Sequence, residues 1–205
     1  WMAWIIVKNS QSANQIALNL ASMTYMVALG VGVAAMIRVG NQRGMMNFIK
    51  LREVALSTLL LIIIIDIFFC LIFLIFNDYL PLLYLDPGNS NNISDVNEVI
   101  RISSKLLIIA GVFQLFDGIQ AVVLGALRGM QDVNKPALII FLSYGLIGFP
   151  TSYLLGFYTS LSVVGIWIGL MTGLFASSLL LFLRFNYLSK KTIRLNDWRN
   201  IKTRL

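Results

Sequence analysis

VALSTLLLIIIIDIFFCLIFLIF, residues 54–76, is an apolar run broken by one charged residue, Asp66. A helix rising 1.5 Å per residue needs about 20 largely apolar residues to cross roughly 30 Å of hydrocarbon. The run meets that length and lacks the period-two alternation of a strand. An open sheet in lipid would also leave its edge groups without partners. The stretch therefore predicts a transmembrane helix, and its neighbours extend the pattern in both directions.

By the same length rule, apolar runs at about 14–37, 100–127, 137–157 and 163–185 predict further spans, five in all with 54–76. Residues 1–7 (WMAWIIV) are too short to span and read as the outer end of a helix whose beginning is missing. Trp1 begins the chain, with no charged n-region or cleavage site of a signal peptide, so the chain is expected to start inside a longer protein. The resulting fold class is all-α, a polytopic membrane helix bundle over 1–189 followed by a basic tail, 190–205.

Composition supports this. Hydrophobic residues make up 58% of the chain and charged residues 12%, about half the usual share for a soluble domain. One cysteine, Cys70, excludes an intrachain disulfide, and zero histidines leave no ordinary ligand set for zinc or haem. No organic cofactor is expected. The net charge of +7 reads as membrane topology rather than as nucleic-acid binding, because the basic residues cluster between apolar runs. Arg38, Arg43, Lys50 and Arg52 lie between the first and second spans, and Arg128 and Lys135 between the third and fourth. The C-terminal stretch holds Arg184, Lys190, Lys191, Arg194, Arg199, Lys202 and Arg204. These three segments are expected inside. The segment after the second span carries Asp78, Asp86, Asp95 and Glu98, and the link at Thr159–Ser162 is uncharged, so both are expected outside. The alternation places the C-terminus in the cytoplasm. Asn92-Ile93-Ser94 matches a glycosylation sequon, a pattern short enough to recur by chance.

Small residues at four-residue spacing let helices approach closely in lipid. Ala13, Ala17, Ala21, Ala28 and Gly32 mark such a face on the first span, Gly148, Ser152 and Gly156 on the fourth, and Gly165, Gly169 and Gly173 on the fifth. The second span has almost no small residues and is expected at the lipid-facing periphery. Pro150 removes a backbone donor within the fourth span and predicts a kink or hinge.

Polar residues in the membrane require a partner or a function, since an ionised carboxylate at mid-bilayer costs about 2.5–3.5 kcal/mol even on the lenient insertion scale. Asp117, with Gln114 and Gln120 three residues to either side, forms a polar helix surface suited to a proton or a sodium ion. A protonated aspartate hydrogen-bonded between helices is the structural alternative. Asp66 has no polar neighbour within a turn, so it is expected to point inward and be neutral. Gln15, Asn19, Ser22, Tyr25 and Met26 form a weaker stripe that either lines a cleft or makes interhelical hydrogen bonds.

The segment QIALNLASMTYMVALGVGVAAMIRVGNQRG, with Val39, Gly40 and Gly44 in a VGxxxG turn, resembles the multidrug and toxin extrusion (MATE) family. So does DGIQAVVLGALRGMQDVNKP, whose Leu127, Arg128, Gly129, Asp132 and Pro136 match the family's LRG-x-x-D-x-x-x-P stretch, and YGLIGFPTSYLLGF and VVGIWIGLMTG follow in the family's order. The resemblance implies the C-terminal six-helix lobe of a two-lobed antiporter, with its first helix truncated. Such an antiporter, in a plasma membrane that for a bacterium is the inner membrane, exports cationic or amphipathic compounds in exchange for sodium or protons. It also implies a cation role for Asp117 and a partner in the missing N-terminal lobe. Two rival readings are a lipid-linked sugar flippase of the same superfamily and a truncated fragment that only packs. An enzyme is disfavoured, because no nucleophile–base pair or metal set is present.

Overall fold

The computed structural model describes residues 8–85, 93–159 and 161–202. Residues 1–7, Asn92 of the sequon and the last residues of the basic tail lie outside the described residues. The described chain is built from long helices: α1 (Lys8–Gly44), α2 (Phe48–Ile75), α3 (Ile93–Gly129), α4 (Asn134–Phe157) and α5 (Ser162–Lys202). Among the described residues, five helices are long and apolar enough to cross a membrane. Several outrun the apolar runs that announce them. Hydropathy marks the hydrocarbon, whereas backbone hydrogen bonding continues into the polar region. The segment expected as a loop through Glu98 is thus helical from Ile93, and the basic stretch after 190 continues α5.

Helix α3 is the axis of the bundle. One core cluster joins Ala13 and Ala17 of α1, Phe73 of α2, Leu106 and Ala110 of α3, and Trp167 of α5. A second, toward the opposite end, joins Val39, Leu51, Leu127, Leu181 and Phe185. Backbones approach closely where the small residues meet. A methyl group added to Gly32 would stand 2.8 Å from the Ala121 carbonyl oxygen, and one added to Gly129 would stand 2.6 Å from that of Met36. On the other side of the bundle, the small-residue stripes of α4 and α5 face each other. Gly173 lies against Gly148, Gly169 against Ser152, and Gly165 against Leu155. In lipid, where apolar side chains gain little by leaving the solvent, this close backbone contact is what holds two helices together.

Helix α2 presents Leu60, Ile64, Phe68, Leu71 and Ile75 outward, each at least half exposed. A face of that size would be an aggregation site in water and is a natural lipid contact in a membrane. Its inner face carries Ala55, Thr58, Ile62, Asp66, Cys70 and Phe73 at helical spacing.

Helix α4 is not regular. Residues Ser143–Gly148 form a π turn in which the Phe149 N–H donates to the Tyr144 carbonyl. The distortion sits just ahead of Pro150, which cannot donate and whose ring crowds the carbonyl one turn earlier. Thr151 bridges the weakened region to α5, its hydroxyl lying 2.9 Å from that of Thr172 and 3.3 Å from the Gly169 carbonyl.

The basic segments gather at one end. Asn47 caps α2 by accepting from the Lys50 N–H at 3.1 Å. Arg52 donates to Asn186 Oδ1 at 2.8 Å, and Arg184 forks onto both oxygens of Asp132 at 2.6 and 2.9 Å. Asp132 follows Gln131, a non-glycine residue at φ 60° in the tight α3–α4 turn. At this same end Gly129 packs on Val39, so the two sequence motifs singled out at the exits of α1 and α3 touch.

Candidate functional site

Asp117 lies in the C-terminal half of α3 and is half-buried. Gln120, one turn on, has its Oε1 buried without a hydrogen-bond partner. Tyr144 comes from the π turn of α4, approaches the Gln120 side chain and lies within electrostatic reach of Asp117. Tyr25 of α1 is within the same reach. Neutral hydrogen-bonding groups from α1 and α4 thus lie within electrostatic reach of the carboxylate, with Gln120 on its own helix. Among the described residues the two ion pairs are Arg101–Glu98 and Arg184–Asp132, so Asp117 has no salt-bridge partner there.

Beside this cluster is a cavity of about 560 Å³, whose wall includes Asn14, Phe113, Tyr144, Phe149, Trp167 and Leu170. Its aromatic lining is fixed by packing. The Trp167 ring meets Phe113 edge to face at 5.8 Å between centroids, and its Nε1 donates to Asn14 Oδ1 at 2.9 Å. Tyr144 belongs to both the cavity wall and the Asp117 cluster, so the two are contiguous.

The site residues singled out from the sequence separate into three groups. Asp117 and Gln120 stay together. Gln114 does not join them: it is buried against α2, where its Nε2 donates to the Asp66 carbonyl at 3.4 Å. Residues three apart on a helix diverge by about 60° around the axis, enough here to put Gln114 in a different interface. The α1 stripe of Gln15, Asn19, Ser22, Tyr25 and Met26 is exposed. The cavity wall on α1 is formed by the adjacent face, Asn14, Leu18 and Ala21. Pro150 closes the distorted turn that carries Tyr144.

Sequence reasoning passed over Asn14, Phe113, Tyr144 and Trp167 as site residues. Asn14 and Trp167 are 153 positions apart, and no local pattern announces their hydrogen bond. Tyr144 lies in YGLIGFP, where glycine and proline flank an aromatic; a helix distortion there was legible, but its target was not.

A family model described as MatE matches residues 1–154. A probable multidrug resistance protein NorM from Agrobacterium fabrum is 36% identical over 185 residues, covering 89% of this chain and 38% of the relative. The protein of the same description from Oceanobacillus iheyensis is 37% identical over 185 residues, covering 90% and 39%. The chain therefore spans about two fifths of the length of these relatives. Among solved structures, the eukaryotic MATE transporter AtDTX14 superimposes with a TM-score of 0.77 at 23% identity, over 93% of this chain and 42% of that one. An inward-facing multidrug resistance MATE family transporter superimposes with a TM-score of 0.75 at 17% identity, over 87% and 39%. At those identities the superpositions speak to the fold.

Proposed function

Because this chain belongs to the MATE family of membrane transporters, we propose that it forms one lobe of a multidrug antiporter in which Asp117 binds the coupling cation beside a substrate-accepting aromatic cavity. The observation that carries this reading is the contiguity of a half-buried carboxylate, without an ion-pair partner among the described residues, with a cavity of about 560 Å³. That volume falls within the range of about 300–1,000 Å³ typical for small-molecule sites. Aromatic faces such as Trp167 and Phe113 attract organic cations and also accept apolar bodies. The lining thus suits cationic or amphipathic compounds.

The coupling ion is a proton or sodium. Either would neutralise Asp117, and Gln120 and the two tyrosines supply neutral oxygens that tolerate both states of the carboxyl group. A cation at Asp117 and a drug against the aromatic wall favour opposite conformations of the lobe, so each drives release of the other by alternating access. The π turn before Pro150 is the element that bends, since it carries Tyr144 and already lacks part of its backbone ladder. The exposed polar stripe of α1 faces the cleft toward the second lobe, which the remainder of a transporter of the relatives' length would supply. The clustered basic residues at the α1–α2 and α3–α4 turns mark the cytoplasmic end of a bacterial inner-membrane protein, with the C-terminus inside. No cofactor beyond the coupling ion is required.

The test is dye efflux from vesicles holding the full-length transporter, with sodium and proton gradients imposed separately. Asp117→Asn is expected to abolish gradient-driven efflux while leaving the protein folded and its drug binding measurable. Efflux that stays coupled to the same ion in Asp117→Asn would overturn the assignment.

A further inference from the structure

A second carboxyl group, Asp66, takes no part in the cavity and is among the most deeply buried polar side chains of the chain, at 2% exposure. It lies on the inner face of α2 against α3. Its Oδ2 is buried without a hydrogen-bond partner, and so is Oε1 of Gln114, which is itself 4% exposed. The two residues meet at the α2–α3 contact. The Gln114 amide nitrogen donates to the Asp66 backbone carbonyl, and the Asp66 carboxyl rests against Gly118, one helical turn beyond Gln114. A methyl group at Gly118 would stand 2.8 Å from Asp66 Cγ and 2.9 Å from Ile62 Cγ1, so glycine alone leaves room for the carboxyl group.

Two acceptor oxygens are thus buried without a donor in one helix interface, a costly arrangement unless a donor is supplied. Among the described residues no ion pair involves Asp66, and the charged group within its electrostatic reach is another carboxylate, Asp117. A hard metal cation takes about six or more oxygen ligands, far more than this contact offers, and the described residues hold no cluster of acidic or sulfur ligands. A proton on Asp66 turns one of these acceptors into a donor, because a neutral carboxylic acid carries an O–H that a carboxylate lacks. The charged groups facing this contact are few: Asp117 from α3, and none from α1, whose Ala28, Val31 and Ala35 pack at this level with Ile62.

We propose that Asp66 is a resident proton site, a neutral acid whose hydroxyl donates to Gln114 Oε1 and so pins α2 to α3 one turn below Asp117. Asp66 is then a positioning residue, distinct from the coupling carboxylate: it keeps its proton through the transport cycle and holds the α3 surface that presents Asp117 and Gln120.

The experiment compares the full-length transporter with its Asp66→Asn, Asp66→Leu and Gln114→Met variants by infrared difference spectroscopy, thermal unfolding in detergent and dye efflux. Asparagine has nearly the same shape and supplies an N–H donor in place of the acid's O–H, so Asp66→Asn is expected to fold, keep its unfolding midpoint and efflux, and lose one protonated-carboxyl carbonyl band. Gln114→Met is expected to shift that band, because its hydrogen-bond acceptor is gone. Asp66→Leu, which leaves Gln114 Oε1 without a donor, is expected to lower the midpoint. The proposal is overturned if Asp66→Asn fails to assemble or loses efflux while folded, if no acid band disappears, if the band ignores Gln114→Met, or if Asp66→Leu is as stable as the parent. Coupling through Asp117 is read separately by the gradient experiment above, so failure of one assignment leaves the other standing.

Discussion

The Arg184–Asp132 pair offers the sharpest quantitative prediction. Arg184 sits on α5 and Asp132 in the α3–α4 turn, and the guanidinium makes two parallel bonds at 2.6 and 2.9 Å. The side chains are 18% and 15% exposed, which places the pair between the surface and buried limits. A hydrogen bond to a charged group contributes about 1.5–3 kcal/mol, surface ion pairs about 0–1 kcal/mol, and breaking a fully buried pair costs about 3–5 kcal/mol. Replacing Arg184 by Met keeps most of the stem packing and leaves Asp132 partly able to rehydrate, so a loss of about 2 kcal/mol is expected. Arg184→Lys keeps the charge but not the fork and is expected to lose about half as much. The assay is thermal unfolding of the purified full-length transporter as a double-mutant cycle with Asp132→Asn. The two single variants should lower the midpoint, and the double variant should fall little further than either one. The loss should persist in high salt, because a half-buried contact pair is screened far less than an exposed one. Fully additive effects, or an Arg184→Met midpoint equal to the parent's, would refute the claim that this pair ties α5 to the turn.

The α4–α5 seam and the bend of α4 carry two further expectations. A side chain at Gly169 would run into the backbone nitrogen and Cα of Ser152, which cannot swing aside, so Gly169→Leu should separate the helices and abolish a monodisperse elution peak. Gly30→Ala, which meets nothing within 4 Å, should be tolerated in the same measurement. Restoring a backbone donor with Pro150→Ala should regularise the π turn and slow dye efflux with folding intact, and unchanged efflux would remove the bend from the transport cycle.

Much of the fold was legible in the chain because lipid imposes a coarse rule. Length and hydropathy announce a span whatever it packs against, so the five helices could be read from runs such as 54–76. The stripes of Gly148, Ser152 and Gly156 and of Gly165, Gly169 and Gly173 were legible as contact faces because close approach admits few other residue types. Helix ends were less so, since α3 begins at Ile93 among polar residues that hydropathy reads as loop. Asp66 pointing inward followed from cost alone, and the structure buries it.

The site was legible only in part, and the reason is rotational. Spacing along one helix says which residues are near each other but not which neighbour each one meets. Gln114 and Gln120 look equivalent about Asp117, yet packing turns Gln114 to α2 and leaves Gln120 beside Tyr144. On α1 the exposed polar stripe and the cavity-lining Asn14, Leu18 and Ala21 are adjacent faces of a single helix, and only the position of α5 selects between them. The sequence by itself determined the solvent this chain lives in, the number of its spans and the residues too costly to be idle. Tertiary structure alone decided the partners: Asp132 with Arg184, Asn14 with Trp167 and Asp66 with Gln114. Those pairings depend on the rotation and register of helices far apart in the chain, and no local period encodes either.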